Sequence, residues 1–220
     1  MRRFIAEGAR VTFTHAGSAE AAQRLASDTG STAVLTDSAD RDAVIDTVRH
    51  SGPLDVLVVN SGIALFGDAL DQDAVDRLFR SNVHAPYHAA VETARQMPSG
   101  VRIIVIGSVN GDRMLLPGMA SYALSKSTLQ GLARVLSRDC WQRGIAINVV
   151  QPGPIGTDTN PENGPMKDLM HSFMAIKRYG RADEVGRHGG LAGRPGSELF
   201  HRGDAYDRWC VWSMTRRRLH

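Results

Sequence analysis

Along the chain, short β-branched apolar runs alternate with stretches whose apolar residues recur every three or four positions. "ARVTFTHA" reads as a strand, and "SAEAAQRLASDTG" as a helix capped by Ser18 and stopped by Gly30. "TAVLTD" is a second strand, followed by a helix in "DRDAVIDTVRHSG" that ends at Gly52. "LDVLVVNSG" is apolar without interruption, as expected of a strand covered on both faces. A longer helical region covers about Asp71 to Gln96. "VRIIVIGS" is a buried strand, "SYALSKSTLQGLARVLSRDCWQRG" a long helix, and "IAINVVQPG" a fifth strand. This order predicts an α/β fold, a doubly wound Rossmann-like parallel sheet with helices on both faces. There are no internal repeats or low-complexity linkers.

Such sheets bind ligands beyond the carboxyl ends of their strands. The residues that follow the strands are therefore informative: Thr36-Asp37, Asn60-Ser61-Gly62, Gly107-Ser108 and Gln151-Pro152-Gly153-Pro154. All are polar, small or turn-forming, and all are expected to meet at one edge. In "SYALSK", Tyr122 and Lys126 are four apart and share a helix face. A lysine ammonium beside a phenol favours the phenolate and draws the tyrosine pKa down, towards a usable acid or base. Alone, such a pair more often means packing with a snorkelling lysine. Ser108, at the end of the preceding strand, could hydrogen-bond a substrate oxygen or cap a turn. Asn82 lies in the helical region between. Asn60 to Gly62 suits close backbone approach to a ligand, or an ordinary turn. Asp37 could accept from a nucleotide base or cap the following turn. His84 and His88 have a metal-capable spacing, but no third ligand stands out and no metal site is expected.

Length and composition narrow the picture. At 220 residues and 42% hydrophobic, the chain can build one substantial core. No apolar run approaches the ~20 residues of a membrane span. "MRRFIAEGAR" lacks the apolar region and cleavage site of a secretory signal. Cys140 and Cys210 make no disulfide framework, so a reducing cytoplasm is expected. The net charge is +3, but residues 186–220 hold seven Arg against three Asp/Glu, leaving the rest near neutral. That argues against a nucleic-acid surface on the main body.

The motifs, taken together and in order, resemble the short-chain dehydrogenase/reductase family. "VVNSGI" resembles its Asn-Asn-Ala-Gly turn, with Val59 and Ser61 as departures. Asn82 matches its active-site asparagine, Ser108 its serine and "YALSK" its Tyr-x-x-x-Lys. "NVVQPGPIGTD" matches the Pro-Gly segment bordering the nicotinamide, and "RYGRADEV" its Arg-x-Gly-x-x-x-Glu-Val helix start. The resemblance implies that Tyr122 exchanges a proton with the substrate oxygen. It also implies that Lys126 lowers the tyrosine pKa and holds the nicotinamide ribose, that Ser108 orients the carbonyl, and that Asn82 supports a proton-relay water. Asp37, Asn60, Gly62, Pro152, Gly153 and Ile155 would border the cofactor together with Tyr122 and Lys126. The strand that corresponds to the family's second ends "FTHAGS" without the acid that binds an NAD ribose, and His15 and Ser18 could tolerate a 2′-phosphate. NADP is expected over NAD, with a carbonyl or secondary alcohol as substrate and a homo-oligomer built on the two long helices. "GSVNGDRMLLPGMASYALSK" and "NPENGPMKDLMHSFMAIKRYG" are similar to a bacterial branch described as cyclic-di-GMP-binding biofilm dispersal mediators. That implies cyclic-di-GMP as an alternative ligand.

Both ends depart from the family pattern. "MRRFIAEGARV" resembles the end of the family's first helix, so the first strand and its Gly-rich turn are expected to lie upstream of Met1. After Val185 the pattern stops, and back-translation in a shifted frame permits family-like endings. The expectation is an incomplete domain over 1–185 with an out-of-frame basic tail over 186–220. Without its usual first and last strands the sheet should expose apolar neighbours and be marginally stable, so an inactive remnant is the third reading.

Overall fold

The computed structural model describes residues 1–67, 69–192 and 204–206. A short helix α1 (Arg2–Ala6) leads into β1 (Thr12–His15), which pairs in parallel with β2 (Thr32–Leu35) across helix α2 (Ala19–Thr29). Ser18 stands at the N-cap position of α2 but makes no side-chain cap bond, and Gly30 ends the helix in the left-handed conformation. Helix α3 (Arg41–His50) is capped instead by a working carboxylate: Asp40 accepts from the amides of Asp42 and Ala43.

The main sheet follows. Strand β3 (Val56–Val59) leads to α4 (Gln72–Phe79) and α5 (Ala85–Gln96), then to β4 (Arg102–Ile106), α6 (Ala120–Cys140) and β5 (Ala146–Gln151). The sheet runs β3-β4-β5 and then β8 (Asp204–Tyr206), with every ladder parallel. Helices α3, α5 and α6 share one apolar cluster with these strands, centred on Ile103, Val105, Leu129, Ile147 and Val149. Beyond β5, the short strands β6 (Ile155–Gly156) and β7 (Gly180–Arg181) pair around α7 (Lys167–Ser172). Helix α8 (Ala182–Ala192) packs on β4, β5 and α1.

Two expectations are corrected. Strand β3 is not covered on both faces, for Val58 is 39% exposed. The reason is topological: β1-β2 forms its own sheet, and no ladder joins β1 to β3 among the described residues. The expected exposure of apolar neighbours is thus seen. The far edge, by contrast, is not left without a strand. Strand β8 (Asp204–Tyr206) pairs with β5, Val149 lying opposite Asp204. Ladder bonds are made by backbone, so an edge strand needs little from its side chains. The remainder of the expected out-of-frame tail, residues 193–203 and 207–220, lies outside the described residues. No described helix is long and apolar enough to cross a membrane.

Candidate active site

The loops after β3, β4 and β5 converge at the carboxyl edge, as the parallel topology requires. Backbone bonds tie them together. The Val109 amide donates to Pro152 O (3.0 Å), and the Gly67 amide donates to Gly118 O (2.9 Å). The turn after Ser108 lies directly on α6. A Cβ at Gly111 would stand 2.9 Å from the Lys126 carbonyl carbon, a contact only glycine avoids.

That close approach brings Ser108 to Tyr122. Of the two roles its position allowed, Ser108 fills the cap: its Oγ accepts from the Asn110 amide (3.2 Å), and its side chain stands beside Tyr122, where it draws the phenol pKa down in part. Lys126 is 6% exposed, and its Nζ donates to Ile106 O (3.1 Å) at the end of β4. Burial lowers its pKa from 10.5 to about 8. The expectation for Tyr122 is corrected here. Burial pushes its pKa up, the Ser108 hydrogen bond only partly opposing it, and the lysine does not draw it down. An ammonium that is itself half-lost near pH 8 and turned to a carbonyl is a weak stabiliser of a phenolate. Tyr122 is therefore protonated at neutral pH, the state that proton donation requires.

Asn82 reaches this cluster through a break in the long helix. Residues Arg80–His84 form a π-helical segment between α4 and α5, an arrangement that is rare and concentrates at functional sites. Asn82, fully buried, accepts from the Ile63 amide (2.8 Å) and donates to Ile63 O (2.8 Å) and Ser125 Oγ (3.0 Å). Ser125 donates in turn to Tyr122 O (2.7 Å). The Asn60–Gly62 turn is thus fastened to α6. A Cβ on Gly62 would lie 3.0 Å from Asn82 Oδ1 and 3.2 Å from Lys126 Nζ. Asn82→Ala should cost about 3 kcal/mol, since it strands both Ile63 backbone groups. Urea unfolding measures this, and a loss below about 1 kcal/mol would show that the network does not hold the turn.

The remaining expected residues separate into two groups. His15 ends β1 with Nδ1 buried and without a partner, and Ser18 has its hydroxyl uncommitted as a cap. Asp37 is already engaged: it accepts from the Ala39 amide (2.9 Å) and from Arg77 through both oxygens (3.1 and 3.0 Å). These partners hold its carboxyl below the usual range. Asn60 is exposed, while Pro152, Gly153 and Ile155 are half-buried beside the Ser108 turn. Two contributors escape a reading of the sequence. Ser125 sits inside "YALSK", where a polar residue on the inward face next to Lys126 was the available signal. Phe66 packs edge-on to Tyr122, ring centroids 5.8 Å apart. Nothing local marks that contact.

The family profile described as Enoyl-(Acyl carrier protein) reductase matches residues 1–189. Over 187 residues the chain is 67% identical to the cyclic-di-GMP-binding biofilm dispersal mediator protein of Escherichia coli strain K12, covering 84% of this chain and 79% of that protein. Versicolorin reductase 1 of Aspergillus parasiticus is 35% identical over 162 residues, covering 69% of this chain and 62% of the reductase. The chain thus spans less than two thirds of that fungal relative. Among solved structures, BdcA in complex with NADPH superposes with a TM-score of 0.90 at 59% identity, covering 98% of this chain and 90% of that one. A Burkholderia cenocepacia J2315 short chain dehydrogenase in complex with NADP gives 0.89 at 36%, covering 93% and 88%. With the Ser108, Tyr122, Lys126 and Asn82 geometry already in place, these likenesses identify the chain as a member of the short-chain dehydrogenase/reductase family.

Proposed function

We propose that this chain is an NADP(H)-dependent oxidoreductase acting on a carbonyl/secondary alcohol pair. The observation that carries the reading is the placing of Ser108 beside Tyr122, with a buried lysine one helical turn on, at the carboxyl edge of the sheet. The residues present fit a nicotinamide dinucleotide. His15 Nδ1 is buried and unpartnered at the end of β1, where a 2′-phosphate would be met. Gly62 lets the backbone close on Asn82 and Lys126. Lys126, Asn60, Pro152, Gly153 and Ile155 would hold the nicotinamide half. The cofactor supplies the hydride.

The chain's own part is proton chemistry. Ser108 Oγ, fixed by the Asn110 amide, orients the substrate oxygen. Tyr122 Oη gives that oxygen its proton in reduction and takes it back in oxidation. Lys126, poised near pH 8, resupplies the phenolate. Asn82 positions the turn that faces them. Because burial raises the Tyr122 pKa, reduction should hold level across neutral pH. Alcohol oxidation, which needs the phenolate, should rise with pH. The two pH profiles check this, and an oxidation rate that falls on the alkaline side would remove Tyr122 as the base.

A second reading, a cyclic-di-GMP-binding regulator on this scaffold, is favoured by the name of the E. coli relative. Calorimetric titration with NADPH and with cyclic-di-GMP separates the two. Micromolar NADPH binding without a cyclic-di-GMP isotherm supports the enzyme; the reverse supports the regulator. Binding of neither would mark an inactive remnant. We also place the protein in the cytoplasm, where a buried free thiol such as Cys140 stays reduced. Self-association is supported by α6, where exposed Leu124 (57%) and Val135 (60%) lie three turns apart on one face. Val135→Glu should shift the sedimenting species to lower mass, and an unchanged distribution would take this face out of the contact.

A further inference from the structure

Phe66 stands out among the apolar groups that the fold does not bury. It is 61% exposed. Yet its loop is anchored on both sides, by the Ile63–Asn82 bonds and by the Gly67 amide on Gly118 O. Its ring meets that of Tyr122 edge-on, at 64° between planes. Exposed Met114 (59%) stands on the loop that follows Ser108. An aromatic side chain held in water, touching the proposed proton donor, has unused apolar surface at the point where a substrate must enter.

We infer that Phe66 determines specificity: with Tyr122 it walls a slot that takes uncharged carbonyl compounds bearing a flat apolar ring next to the carbonyl. This rests on the oxidoreductase reading of the same site. The physical reason is geometric. A carbonyl whose oxygen reaches the Tyr122 hydroxyl brings its substituents within reach of Phe66, which packs edge-on against that tyrosine. A planar ring can stack or pack edge-on against Phe66, whereas a small aliphatic ketone leaves that surface wet. Aromatic pairing adds to the area buried, enough for about a tenfold preference.

The test uses the full chain with NADPH, and 1-tetralone and acetone as probes. Binding is read by saturation-transfer NMR and turnover by NADPH oxidation. Phe66→Ala should weaken 1-tetralone binding about tenfold and lower its kcat/KM relative to that of acetone by the same factor, through KM. Phe66→Tyr, which keeps the ring, should restore both. Failure of the wild-type chain to bind 1-tetralone, or an unchanged dissociation constant in Phe66→Ala, overturns the inference. If 1-tetralone binds in a Phe66-dependent manner but no ketone is turned over, the oxidoreductase reading falls and the slot stands. If ketones are turned over with no dependence on Phe66, the slot falls and the oxidoreductase reading stands.

Discussion

Replacing Tyr122 with phenylalanine should lower NADPH-dependent ketone reduction by about a thousandfold, the scale of a lost general acid. The unfolding midpoint should move little. Ser108 is the side chain that acts on the phenol oxygen, so the loss of that oxygen removes about 1 kcal/mol at most, and Phe fills the same volume. The remaining ring still packs on Phe66. Dissociation of NADPH should be nearly unchanged, because Tyr122→Phe leaves Lys126, Gly62 and the Pro152-Gly153 segment in place. The combination matters more than any one number: activity lost with fold and cofactor binding retained assigns a chemical role to a single oxygen. Residual activity within tenfold of wild type would move the proton to another group. Lys126, whose pKa of about 8 makes it competent, would be the first to examine.

Lys126→Met should have the opposite effect on the fold. Lys126 is 6% exposed and its pKa falls from 10.5 to about 8. Burying the ammonium thus costs the native state about 3 kcal/mol at neutral pH. Methionine spans a similar volume without charge and leaves Ile106 O without its lysine donor, a loss of about 1 kcal/mol. The variant should be more stable by about 2 kcal/mol at pH 7 and should lose cofactor affinity and turnover. The pH dependence separates this from ordinary packing. Below about pH 8 both native and unfolded chains hold the lysine proton, and the wild type bears the full burial cost. Between about 8 and 10.5 the unfolded chain holds more protons than the native one, so wild-type stability rises with pH. The advantage of Lys126→Met should shrink over that window. Tyr122 and Cys140, both raised by burial, oppose the rise at its alkaline end, and taking the difference between the two proteins removes their contribution. A constant difference from pH 7 to 10 would mean that the lysine is not buried as a strained cation. A residue that destabilises the fold and is kept at the centre of the site is what a trade of stability for chemistry looks like.

Much of this architecture can be read locally. Every main strand and helix is visible as a change between short apolar runs and helical spacing, because β4 and β5 are buried almost throughout while the helices bury one face. Gly30 and Gly52 end helices where expected, since both need a positive φ. Residue types at strand ends also point to the edge where the loops meet, because a parallel sheet gathers all its carboxyl-end loops there. The four residues Ser108, Tyr122, Lys126 and Asn82 are legible only as a set, each being common by itself.

The order and type of the elements, the edge where the strand-end loops meet and the residues gathered there are therefore written in the chain itself. How those residues stand to one another came from three-dimensional packing. Packing opened one face of β3 by separating the β1-β2 pair from the main sheet, and placed β8 beside β5. It engaged Asp37 with Arg77, put a π segment beneath Asn82, and brought Phe66 onto Tyr122. It also reversed the direction of the Tyr122 shift. Spacing places a lysine near a phenol, but the sign of a pKa shift depends on how much water each group loses and which way each proton points. Those are properties of packing, in which contributions from distant parts of the chain meet, and no local pattern encodes them.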